Sequence, residues 1–189
     1  MGKIAIVLIV SMVIGVGFLS GCTEQTGGEI KTVGASLNTL GLALDDFSGD
    51  FEITDEEYVT EPYVIKKGFL EGTKVLERYN VSFTEGESSL IIQGLVRCDS
   101  KETCKSALDM TKTELGADFP EISANTIGDD SYLGEMTTTF SGTEISMYLL
   151  CFRIADVLVI LTGTALLQFT FRGYGNIIES NINAVLTGE

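Results

Sequence analysis

Hydrophobic and polar positions divide the chain into segments of different period. Residues Ile4 to Phe18 form an uncharged, mostly apolar run. From Thr23 to about Gly34 the chain is polar and contains glycine, and it then gives a short apolar segment, Leu37 to Leu44, long enough for one or two helical turns. Asp45 to Glu61 is rich in acids and has no Lys or Arg, which reads as a solvated loop. After Pro62 the period becomes two. Val75, Glu77, Tyr79, Val81 and Phe83 alternate with polar neighbours, and a turn at Glu85-Gly86-Glu87 leads into Leu90 to Val96, its antiparallel neighbour.

The period then lengthens. Asp99-x-x-Glu102 has the form of a capping box, and Cys104, Ala107, Leu108, Thr111 and Leu115 share one face at helical spacing until Gly116 and Pro120 stop the helix. Strands are expected near 122–127, 133–140, 144–154 and 157–164. The last two, joined through Ala155-Asp156, are apolar on both faces, which places them at the centre of a sheet covered on both sides. Asn176 is positioned to cap a terminal helix with a buried stripe of Ile178, Ile182 and Val185, ending at Gly188. This order of elements implies an α+β fold, a mainly antiparallel sheet of about five to seven strands with two principal helices packed on it.

The N-terminal run has the parts of an export signal, with Lys3 ahead of it and small residues before Cys22. Leu19-Ser20-Gly21-Cys22 resembles the lipobox of prokaryotic lipoprotein precursors, archaeal ones among them, whose cysteine is lipidated on sulfur and becomes the first residue after cleavage. The resemblance implies a signal peptide over 1–21, a flexible tether over 22–34 and a single extracytoplasmic domain over 35–189. Cys22 is then the lipid anchor on the outer face of the cell membrane, each buried methylene contributing roughly 0.8 kcal/mol. The residues alone also allow an uncleaved helix, because the run approaches the roughly 17 residues that span a bilayer. Both readings leave Lys3 inside and the rest of the chain outside.

Charge narrows the partners. The formal net charge of -15 repels phosphate backbones, and no basic stripe offsets it, so nucleic acid is excluded as a partner. A chain of 189 residues suits one domain with a substantial core that needs no metal to fold. It contains no histidine, which removes the commonest general base, the zincin motif and the usual serine triad. There is neither a phosphate-binding loop nor a dinucleotide fingerprint. No enzyme class and no cofactor is implied, and the expected role is binding of a small ligand or of another envelope protein. A hydrolase working through carboxylates and a structural envelope component are the competing readings.

Four cysteines are present. With Cys22 lipidated, Cys98, Cys104 and Cys151 allow one bridge, and Cys98 at a strand end with Cys104 in the next helical turn is the expected pair. Closing so short a loop stabilises by only roughly 2 kcal/mol in the loop-entropy account. The alternative is three small buried hydrophobes. Gly128-Asp129-Asp130-Ser131-Tyr132 falls between expected strands, making Asp129, Asp130 and Tyr132 candidates to line a ligand cleft, with an ordinary turn as the competing reading. The acids Asp45, Asp46, Asp50, Glu52, Asp55, Glu56, Glu57 and Glu61 offer oxygen ligands for a weak divalent-cation site. Asn80-Val81-Ser82 matches the acceptor pattern for N-glycosylation. Phe169, Phe171 and Tyr174 cluster about Arg172, as a contact patch or as packing beneath the terminal helix.

Tyr79 to Phe83, the helix after Cys98, Ile127 to Tyr132 and Phe152 to Ile160 together resemble the PsbP-like fold and the extracellular sensor-type domains of prokaryotic lipoproteins. The resemblance covers most of the chain after residue 70. It implies a binding or accessory module rather than an enzyme.

Overall fold

A computed structural model of the chain describes residues 33, 35–86, 89–123, 127–140, 143–164 and 168–186. The architecture is α+β. Eight strands, β1 (Glu52–Val59), β2 (Tyr63–Val64), β3 (Lys74–Glu85), β4 (Ser89–Cys98), β5 (Glu121–Ser123), β6 (Asp130–Phe140), β7 (Thr143–Ile154) and β8 (Val157–Thr164), form one sheet. Its order is β1-β3-β4-β8-β7-β6-β5, with β2 pairing the start of β3, and every pairing is antiparallel. The principal helices are α1 (Lys101–Leu115) and α2 (Gln168–Leu186), preceded by two short 3-10 turns at Leu37–Thr39 and Leu44–Asp46. The signal segment and Cys22 lie outside the described residues, as do the Glu87 turn position and residues 124–126 of the strand expected near 122–127.

Strand β8 lies at the middle of the sheet, and all eight of its residues are buried. Alternation along it sends Val157, Val159 and Leu161 into one core and Leu158 and Ile160 into the other. The first core packs beneath α2 through Phe171, Tyr174, Ile178 and Ile182, and beneath the 33–47 segment through Leu37, Leu40, Leu42 and Phe47. Val33, within the expected tether, is buried in the same core. The second core packs beneath α1 through Cys104, Ala107 and Leu108, with Ile65, Leu70 and Val75 beside them. Helices on both faces explain why β4, β7 and β8 read as continuous apolar runs.

Four local expectations are corrected. Glu52–Val59, read as solvated loop, is the edge strand β1, and a register shift between Ile53 and Asp55 bends it. Charged side chains and a bulge are how sheet edges resist pairing with other chains. A shift between Val75 and Glu77 puts Val75 in the second core while Tyr79, Val81 and Phe83 enter the first, so the five do not share a face. The α1 cap is Ser100, whose Oγ accepts from Thr103 N at 3.0 Å, while Asp99 accepts from the Thr103 hydroxyl at 2.5 Å. Finally, α2 begins at Gln168, so Asn176 lies inside the helix and caps nothing.

Candidate functional site

The segment from Gly128 to Tyr132 joins four elements. Gly128 has a φ of +67°, which only glycine adopts without strain, and its N–H donates to Glu179 Oε1 of α2 at 2.7 Å. Asp129 N–H donates to the Arg153 carbonyl at 2.8 Å. Its Oδ2 accepts from Arg153 Nη1 at 2.9 Å and from Ala155 N at 3.0 Å. Asp130 Oδ1 takes the ammonium of Lys112, on α1, at 2.9 Å. Ser131 Oγ accepts from Ile127 N at 3.1 Å. The Tyr132 hydroxyl donates to the Phe119 carbonyl, and burial raises its pKa.

The three candidate cleft residues are therefore brought close in sequence but turned to different neighbours. Asp129 latches the β7–β8 hairpin, Asp130 ties β6 to α1, and Tyr132 faces the second core. Each carboxylate has a cation beside it, which suits a structural junction better than proton transfer. Beside this junction, Asn176, Glu179, Ser180, Asn183 and Ala184 of α2 line an open hollow of about 460 Å³.

The acidic stretch is dispersed rather than convergent. Glu57 pairs with the buried Arg78 at 2.6 Å, Glu56 accepts from the Tyr79 hydroxyl at 3.0 Å, and Asp46 accepts from Ala43 N at 2.8 Å. Burial first, then that bond to Glu56, pushes the Tyr79 hydroxyl up to about 12. Among the described residues no group of three or more His, Cys, Asp or Glu side chains could hold a metal ion, so the divalent-cation expectation is not met there. Alternation along a strand explains this, since Glu56 and Glu57 point to opposite faces of the sheet.

Behind β1 lies a polar cluster that the sequence did not reveal. Glu77 and Arg97 form an ion pair at 2.7 Å with side-chain exposures of 9% and 12%. Glu77 also accepts from Leu37 N at 2.8 Å and from the Tyr58 hydroxyl, and Arg97 donates to the Ala35 carbonyl at 2.6 Å. Gln93 Oε1 accepts from Leu42 N at 2.7 Å, and Asn181 of α2 donates to the Leu40 carbonyl at 3.3 Å. These side chains meet backbone groups of the 35–42 segment, which has no strand partner, and so strap it over the first core.

Cys98, Cys104 and Cys151 are free thiols, all fully buried. The neighbouring Cys98 thiol, then burial, raises the pKa of Cys104; burial raises that of Cys151. Asp156, in the hairpin turn beside them, is fully buried, and neither carboxyl oxygen has a hydrogen-bond partner. Sequence reading treated Asp156 only as a turn residue, and its two apolar flanking strands were the signal that it would be buried. Asn80 is half-buried in mid-β3, paired to β1 and β4 on either side. Phe171 and Tyr174 belong to α2 and pack inward, Phe171 against Tyr148 and Tyr174 against Phe47, which excludes an exposed patch built on them.

No helix among the described residues is long and apolar enough to cross a membrane. No family model matches the sequence, and no curated protein matches it. Among solved structures, the fold is similar to the extracellular domain of PknH from Mycobacterium tuberculosis, with a TM-score of 0.53 at 7% identity over 78% of this chain and 94% of that one. An uncharacterised Mycobacterium smegmatis protein, the Rv0999 ortholog, matches with a TM-score of 0.34 at 11% identity over 75% of this chain and 92% of that one.

Proposed function

We propose that the chain is an extracytoplasmic accessory module, held on the membrane surface by lipid on Cys22, that binds a small ligand or another envelope protein and catalyses no reaction. The observation that carries the reading is the fold, which matches that of the extracellular domain of PknH over most of both chains. Fold likeness does not name an activity, so the ligand is left to chemistry. Two features support the rest. Leu19-Ser20-Gly21-Cys22 supplies an anchor signal upstream of a domain whose first described segment is strapped to the sheet. The carboxylates best placed for acid or base work, Asp129 and Asp130, are held by Arg153 and Lys112 as structural ties.

Protease added to intact cells tests this reading. The domain is expected to be digested from outside, and C22A is expected to shed it into the medium or leave an unprocessed precursor. Full protection of the wild-type domain in intact cells would overturn the reading.

A further inference from the structure

We propose that Cys98, Cys104 and Asp156 form a redox site, at which the two thiols close to a disulfide by exchange with a small external disulfide while Asp156 carries a proton between sulfurs. The geometry is contiguous. Cys98 ends β4, and its N–H donates to the Asp156 carbonyl at 2.8 Å, so the hairpin turn lies directly beside it. Cys104, in the first turn of α1, is fully buried in the same core cluster as Cys98. A fully buried carboxyl with no hydrogen-bond partner is costly, and such groups concentrate where chemistry uses them.

The chemistry requires a base at this place. Only a thiolate attacks a disulfide, and the neighbouring Cys98 thiol, then burial, raises the pKa of the Cys104 thiol, so solvent alone rarely deprotonates it at neutral pH. Burial also raises the carboxyl of Asp156, which makes it a stronger proton acceptor than an exposed carboxylate. Arg97 of β4 and Lys101 of α1 oppose that rise, and Arg153 of β7 opposes the rise at Cys104.

In the first step one cysteine gives its proton to Asp156 and its thiolate attacks the external disulfide, whose S–S bond breaks; a mixed disulfide forms as one small thiolate leaves and takes the proton from Asp156. The second cysteine gives its proton to Asp156 and attacks the protein sulfur of the mixed disulfide. The second small thiolate departs and takes that proton from Asp156. The cysteines are oxidised by two electrons, and the external disulfide is reduced to two thiols. Both sulfurs are buried, so access comes by opening the first turn of α1, which Ser100 and Asp99 hold through Thr103.

The test exposes reduced, folded, full-length protein in detergent to oxidised glutathione across a range of pH and follows closure by mass and peptide mapping. The expected product is lighter by two hydrogens, joins Cys98 to Cys104 and leaves Cys151 free. D156N is expected to give the same product about a hundredfold more slowly, with the carboxyl-range step missing from the pH–rate profile. Should D156N fail to fold, the wild-type profile decides, because closure that rises only in the thiol range contradicts a role for Asp156. A bridge to Cys151, three free thiols, or D156N closing at the wild-type rate would overturn the proposal.

Discussion

The Asp129 carboxylate accepts the N–H of Ala155, 26 residues further along the chain, at 3.0 Å, and Ala155 has a φ of +52°. The two-residue loop Ala155-Asp156 closes the β7–β8 hairpin with a left-handed first residue, a position where such turns normally carry glycine. Asp129 binds the strained residue from the bend just before strand β6 and so supplies from outside what the turn sequence lacks.

Replacing Asp129 by Ala removes that acceptor and the carboxylate partner of Arg153, which keeps its bond to the Ala155 carbonyl. The Asp129 side chain is 49% exposed, so its ion pair adds little, and the backbone hydrogen bond sets the cost. Urea unfolding of D129A should show a loss of about 1–2 kcal/mol. An unchanged midpoint and slope would mean that the latch contributes nothing.

Ala155→Gly should stabilise. Relief of a left-handed alanine is worth roughly 1–2 kcal/mol, partly offset by the greater freedom of glycine in the unfolded chain, for a net gain of about 0.5–1 kcal/mol. The thermal midpoint of A155G should rise, and a fall would show that the turn tolerates Ala155 without strain.

The buried Glu77–Arg97 pair should be far more sensitive than any surface pair. In E77A, Arg97 keeps its charge inside the fold with its main partner gone, and Leu37 N and the Tyr58 hydroxyl lose their acceptor. The expected destabilisation is about 3–5 kcal/mol, with faster hydrogen exchange at Leu37 as the strap loosens. Exchange that accelerates equally everywhere would argue against a local strap.

Asp156 should make stability fall as pH rises. Burial lifts its folded pKa above the unfolded value of 3.8, so the folded state holds the proton more tightly. The stabilisation is full below the unfolded pKa and is lost as pH climbs through the folded one. The difference in unfolding free energy between wild type and D156N, followed from acid to neutral pH, should therefore move in favour of D156N. A flat difference would mean that the carboxyl ionises alike in both states.

What could be read from the sequence followed from burial on both faces. Val157 to Thr164 could only be a central strand, and the spacing of Cys104, Ala107, Leu108 and Thr111 could only be one helix face. The start of α2 was hidden by Gly173 and Gly175, which resemble a break before Asn176. Gly175 instead lets the helix lie close on β7, because a Cβ there would meet Leu150 Cδ2 at 2.5 Å. Strand β1 was hidden by its acids, which an edge position tolerates because one side of the strand meets water. The strap cluster could not be foreseen, since Glu77 and Leu37 are 40 residues apart and nothing local links them.

Lipid on Cys22 is the proposed anchor of an exported domain. Intact-mass measurement, under non-reducing conditions, of the protein extracted from its native membranes tests it most directly. The measured mass should be that of a chain that begins at lipid-modified Cys22. A full-length chain carrying no lipid would contradict it and leave an uncleaved N-terminal helix as the attachment.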